Sequence, residues 1–278
     1  MSSVGKRILT GSTLVLAVVP FFVLDRTFER PWVVWVLAAM LAAAGAWELA
    51  HMGRFAGLRL GFPLAVVVIV LGISSFPADV GLGESRPWWQ NAAAALVLAS
   101  GYVWIRGRTS RFGAGGHAGA SAWLAAWLVP PLYGLVEVRE LWGSAGLLAF
   151  VALAKIGDNA GYFVGRFLGK HHPFPRLSPG KTVEGCVASF LGAVLLGGVL
   201  ASTGALPTDS RSFALGMLLG ALVNVAAQGG DLLESWIKRR AGVKDSSALL
   251  GASGGVLDVV DSLLLSVPVA LTSWPLLL

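Results

Sequence analysis

Stretches of mostly apolar residues recur along this chain near 9–25, 31–50, 61–76, 90–105, 120–135, 145–163, 184–204, 211–228 and 255–277, with short polar islands between them. Nothing else in the sequence constrains the fold as strongly. A bilayer core about 30 Å thick is crossed by roughly 20 apolar residues in a helix, and only helices and closed barrels satisfy their own backbone hydrogen bonds in hydrocarbon. The predicted architecture is an all-α polytopic membrane protein of about nine transmembrane helices, a single integral-membrane domain over 1–278. Composition agrees, since 55% of the residues are hydrophobic and 13% charged, against about 25% charge in a soluble domain.

The 36 glycines suit close helix–helix approach, because packing rather than the hydrophobic effect joins helices in lipid. Gly192, Gly197, Gly198, Gly216 and Gly220 are candidates, although glycine is also simply frequent in membrane helices. Lys6 and Arg7 precede the first apolar stretch as in a signal peptide, but no small-residue cleavage site follows, so an uncleaved first span is expected.

With nine spans, the N-terminal tail and the even-numbered loops together carry fifteen of the 21 Lys and Arg residues, and the opposite side has Arg26, Arg30, Arg86, Arg139 and Arg211. The positive-inside rule then places the N-terminus and those loops in the cytoplasm. The net charge of +6 belongs to that face and is read as topology and anionic-lipid contact; no nucleic-acid partner is expected without a soluble domain to carry it. The lone Cys186 excludes an internal disulfide, and His51, His117, His171 and His172 lack metalloprotease spacing. Trp47 and Glu48 stand at an otherwise apolar helix end, where interfacial anchoring accounts for the tryptophan.

Polar islands concentrate between residues 155 and 262. Lys155, Asp158, Tyr162 and Arg166 follow at helical spacing, a polar stripe on a lipid-embedded helix. Such groups cost about 2.5–3.5 kcal/mol each on insertion scales and normally face a cavity or a partner. One reading is a Lys155–Asp158 pair used only for packing; the other is a functional face. The loop 165–185 is rich in Gly, Pro and cations, and its SPGKT resembles a phosphate-binding loop, but Pro175 stands where the motif requires Gly. Ser178, Lys181 and Thr182 remain as donors near a helix start, where anions are favoured.

Asn224, Gln228, Asp231, Ser235 and Lys238 form a second polar face that leads into Arg239, Arg240 and Lys244. Asp258 and Asp261 follow, three residues apart. Acids of this kind can hold a divalent cation while the cations neutralise phosphate, so the segment reads as a metal and phosphate site at a membrane.

These islands resemble the phosphatidate cytidylyltransferase family, also called CDP-diglyceride synthetases. Ser235, Ile237, Lys238, Arg239, Lys244, Asp245, Gly254, Gly255, Asp258, Val260 and Asp261 match its signature in register. GDNAGYFVGRFLGK, LSPGKTVEG and the opening KRILTGSTLVLAVVP look like further family blocks. Ser253 and Val259 depart from the pattern, standing where the family has His and Arg.

The resemblance implies a reaction of CTP with phosphatidate, giving CDP-diacylglycerol and pyrophosphate, at the cytoplasmic face of a bacterial-type inner membrane. It implies a catalytic set of Asp231, Lys238, Lys244, Asp245, Asp258 and Asp261, with Asp231, Asp258 and Asp261 holding Mg2+ and room for a second cation. Substrate contacts are implied for Asp158, Tyr162, Ser178, Lys181, Thr182, Ser235, Arg239, Gly254 and Gly255. A homodimer is compatible with the sequence. Two rivals stand beside this reading. An ion- or proton-coupled transporter could use the same intramembrane polar residues, but it predicts charge spread to both faces. A CDP-alcohol phosphotransferase needs a DGxxAR motif, which is absent.

Overall fold

The computed structural model describes residue 20 and residues 23–27, 31–55, 114–251 and 254–273. Among the described residues the long elements are helices: α1 (Trp32–Phe55), α2 (Ala114–Leu168), α3 (Val183–Ser202), α4 (Phe213–Arg240) and α5 (Leu257–Ser273), with a 3-10 turn at Asp209–Arg211 before α4. Four of them contain stretches long and apolar enough to cross a membrane: Trp32–Met52, Ala126–Leu168, Val183–Ser202 and Phe213–Arg240. The spans predicted near 61–76 and 90–105, and most of that near 9–25, lie outside the described residues.

Two predicted spans, near 120–135 and 145–163, fall in α2, whose 55 residues would reach over 80 Å at about 1.5 Å per residue. Gly143 breaks it, with φ 70 and ψ 177, a backbone conformation that an L side chain rarely adopts. The span predicted near 211–228 is longer in the structure. Helix α4 continues through GGDLLESWIKRR to Arg240, because the charged residues of that extension are good helix formers and some of them pair along the helix. Helix α5 is described over 17 residues with an internal Pro268, and residues 274–277 of the stretch predicted at 255–277 lie outside the described residues.

The described residues group into two compact units. One draws on the chain up to Glu137 and on Arg240–Val259; the other draws on Val138–Arg239 and on the chain from Val260. In the first, Ala38, Ala42, Ala46 and Leu49 put a buried stripe of mostly small side chains along α1, and Leu128, Val129 and Leu132 of α2 are fully buried. In the second, α3 buries Gly185, Ser189, Ala193, Gly197 and Ala201 at four-residue intervals. Backbones touch along this seam: a Cβ at Gly197 would meet the Gly216 carbonyl, and one at Gly220 the Ala193 carbonyl. Gly198 faces the Phe213 ring, so four of the five candidate glycines sit at tight contacts, while a Cβ at Gly192 would make only ordinary contact with Ala160 at 3.5 Å.

Candidate functional site

In the second unit, the polar stripes of α2 and α4 meet the start of α3 and the residues of α5. Thr182 N-caps α3, its hydroxyl accepting from Gly185 N at 3.1 Å, which satisfies one of the amides a helix start leaves without a partner. It therefore acts as a cap, in a bond that does not use its own hydroxyl proton. The preceding loop is fastened by Glu184, whose Oε2 accepts from Lys170 N and His171 N and whose Oε1 lies 2.7 Å from His171 Nδ1. His171 thus has a partner inside the protein. An acid in the first turn after a Thr cap was the available sign of this arrangement.

One residue before the cap, Lys181 extends from α3's start to Asp231 of α4, with Nζ 3.1 Å from Oδ2. Gly229 and Gly230 lead into Asp231, and a Cβ at Gly230 would run into the Asp261 carbonyl, so α4 and α5 approach backbone to backbone where their acids sit. Lys155 Nζ lies 3.3 Å from Asp158 Oδ2 and 3.6 Å from Asp261 Oδ1. Asp231 also interacts electrostatically with Asp158, Asp261 and Lys155. Three carboxylates and two ammonium groups therefore share one site, drawn from four segments. The Lys155–Asp158 pair is not an isolated packing contact, because Lys155 also serves Asp261.

Beneath this cluster the α4 face is satisfied by α3. Asn224 is buried and donates from its amide to Ser189 Oγ at 2.9 Å; the Gln228 amide donates to Asn224 Oδ1 at 2.6 Å and to the Cys186 carbonyl at 3.3 Å. The chain leaves no space for side chains here: a Cβ at Gly157 would collide with Asn224 and Ser189. Further along α2, Arg166 donates to the Tyr162 hydroxyl at 2.8 Å and lies over its ring. Both are exposed, as is Arg239, while Ser178 and Ser235 are half-buried. Lys238 is buried and paired with Glu234 one helical turn earlier. Glu234 escaped the sequence reading, although an acid four residues before a lysine is a recognisable helix pair.

A second arrangement lies in the first unit, in the loop before α5. Lys244 and Asp245 are exposed there. Asp258 Oδ2 accepts from Ser246 N at 3.0 Å, Ser246 Oγ at 2.7 Å and Gly255 N at 2.8 Å. Gly254 adopts φ 83 and Gly255 has no room for a Cβ, so the glycine pair lets the loop fold tightly around these acceptors. Glu48 of α1, fully buried, accepts from Ser247 Oγ, Val256 N and Leu257 N of the same loop and shares the Ser246 hydroxyl proton with Asp258. The sequence reading passed over it; the signal was a lone charge in an apolar helix, which demands a partner.

The oxygen-rich donor set suits a hard divalent cation. Asp231 Oδ1 is buried and accepts no hydrogen bond among the described residues, and three carboxylates against two lysines leave an excess of negative charge. Asp231 and Asp261 fit such an ion best, with Asp158 beside them. Asp258 belongs to the first unit, where its Oδ2 is held by the loop donors described above. Among the described residues, no three acidic, His or Cys side chains already stand at ligand spacing; the lysines take up part of that charge.

The model of the cytidylyltransferase family matches residues 5–276. Phosphatidate cytidylyltransferase of Pseudomonas aeruginosa is 34% identical over 274 residues, covering 95% of this chain and 94% of that protein. The enzymes of the same name from Bacillus subtilis and Chlamydia pneumoniae are 29% and 30% identical, covering 96% and 84% of this chain and 96% and 80% of their own lengths. With the match running over nearly its whole length, this chain belongs to the cytidylyltransferase family.

Proposed function

We propose that this protein transfers the cytidylyl group of CTP to phosphatidate, forming CDP-diacylglycerol and releasing pyrophosphate. The observation that carries this reading is the cluster of Asp158, Asp231 and Asp261 with Lys155 and Lys181 on membrane helices, in a chain whose relatives carry the phosphatidate cytidylyltransferase name. That name also favours the enzyme over a transporter. A phosphatidate oxygen attacks the α-phosphorus of CTP, the bond to the β-phosphate oxygen breaks, and pyrophosphate leaves. The phosphate monoester is already a competent nucleophile, so the protein's task is to align two polyanions and offset their charge.

Lys181, and Lys244 and Arg239 at exposed positions, supply cationic donors for phosphate oxygens. Lys155 holds Asp158 and Asp261 in place. Asp231 and Asp261 would hold Mg2+; when bound, that ion stabilises charge on the phosphate oxygens during displacement. We place the N-terminus and the cationic loops in the cytoplasm of a bacterial-type cell membrane, in a protein of about nine spans, on the fifteen-to-five distribution of cations between the two sides.

Membrane vesicles test the reaction and its sidedness together. Everted vesicles containing the protein, given CTP, phosphatidate and Mg2+, release pyrophosphate and form a liponucleotide, and sealed right-side-out vesicles do not. No turnover in purified protein under varied lipid and metal conditions removes the reaction; turnover confined to right-side-out vesicles reverses the orientation.

A second outcome concerns the ion pair on α2. Replacing Lys155 with Met and Asp158 with Leu removes both charges at once, which a pair serving only packing tolerates, since such pairs often fail to offset their desolvation. Because Lys155 also reaches Asp261, the double variant is expected to keep its thermal stability and lose about 100-fold or more in turnover. A stable, fully active protein reduces both residues to packing.

A further inference from the structure

Glu48 is the first charged residue of α1, after sixteen uncharged positions from Trp32 to Trp47, and it is 0% exposed. A carboxylate in such surroundings is costly unless it is fully partnered. Oε1 accepts from Ser247 Oγ at 2.6 Å and Val256 N at 2.8 Å, and Oε2 accepts from Leu257 N at 2.8 Å; Oε2 also lies 2.9 Å from Ser246 Oγ, whose single proton it shares with Asp258 Oδ2. Three donors are its own and a fourth is shared, so each oxygen has at least one partner.

They also come from the two ends of one loop. Ser246 and Ser247 open it and Val256 and Leu257 close it at the start of α5, where exposed amides and the helix dipole favour an anion. Gly255 is shaped by the contact, since a Cβ there would strike both the Glu48 carboxylate and the Ser246 hydroxyl. Lys244 and Asp245 immediately precede the stapled serines.

We infer that Glu48 is a positioning residue for the reaction: by stapling both ends of the 246–257 loop it holds Lys244 and Asp245 where the triphosphate of CTP is engaged. This role rests on the cytidylyl-transfer reading above. It touches no substrate itself and acts through the loop. Lys244 is a proposed donor to phosphate oxygens of the triphosphate, so the effect of losing the staple falls first on the nucleotide.

Glu48→Gln tests it in the full-length protein in detergent, because the amide keeps the shape but turns one acceptor into a donor that faces donors. Expected are a rise of at least about tenfold in amide hydrogen exchange across 244–257 and a rise of about tenfold in KM for CTP, with KM for phosphatidate and exchange in α3 moving less than about twofold. Ser246→Ala with Ser247→Ala, which leaves Glu48 in place, moves the same quantities in the same direction. Combined with Glu48→Gln it adds less than the product of the separate effects, because both remove the same interactions. Unchanged loop exchange and CTP KM in both variants overturn the inference. So does an equal rise in both KM values with loss of protection in α3, which marks general destabilisation. If the wild-type protein turns over no CTP, the positioning role falls with the nucleotide reading, and a tenfold exchange response then shows the staple to be structural.

Discussion

Asp231→Asn and Asp261→Asn are each expected to lower liponucleotide formation by roughly 10²–10³-fold while the protein stays folded and membrane-inserted. Neither change alters side-chain volume appreciably, so packing between α4 and α5 is retained. Charge is what goes. Asp231 is the ion-pair partner of Lys181 at 3.1 Å, and its other oxygen is buried without a hydrogen-bond donor among the described residues; the amide keeps one oxygen for two positions, so it either strands the lysine or removes the site's most available oxygen. Asp261 balances Lys155 at 3.6 Å. Cys186→Ala is the control, because the bond from Gln228 goes to the Cys186 backbone carbonyl and survives the change. Turnover and thermal stability of purified variants decide the matter; near-normal turnover of Asp231→Asn would end the assignment of this cluster as the reaction centre.

The second large effect comes from a position with no functional group. Gly230→Ala places a methyl against the backbone carbonyl of Asp261, and a backbone atom cannot rotate aside. Overpacking of this kind costs about 1–3 kcal/mol. It also spreads the two helices at the residue adjoining Asp231, and a displacement near 1 Å in a reaction centre costs on the order of 100-fold in rate. Gly229→Ala should be nearly silent, since among the described residues its methyl meets only Leu265 Cδ1 at 3.6 Å. The contrast between adjacent glycines separates a close helix crossing from a general need for flexibility: equal effects at both positions would remove the crossing as the cause.

Much of the carboxylate–lysine cluster could be read from spacing alone. Asn224, Gln228 and Asp231 recur at helical intervals, and the structure turns all three toward α3 and the residue that precedes it. Lys155 and Asp158 were legible as a pair for the same reason. Their connection to Asp261 was not, because a contact between residues more than a hundred positions apart leaves no periodic trace. The helical spacing of Asn224 through Lys238 already carried α4 past its apolar span, as the structure does to Arg240; the Glu234–Lys238 pair within that extension was the part left unread. SPGKT showed its cation and its hydroxyl but not their division of labour, with Lys181 in the cluster and Thr182 capping a helix. Glu48 stood in plain view as a lone acid, yet its hydrogen-bond partners among the described residues lie about two hundred residues downstream.

That separation bears on how the protein is made. Ribosomes extend chains at about 5–20 residues per second, so α1 is synthesised roughly 10–40 s before the donors of Glu48, which lie 198 to 209 residues later. Throughout that interval the nascent helix carries a carboxylic acid without the four groups that later surround it. Burial of Glu48 is consequently a late event in biogenesis, and a chain truncated before Ser246 presents the membrane quality-control machinery with a helix whose acid has no protein partner from this loop.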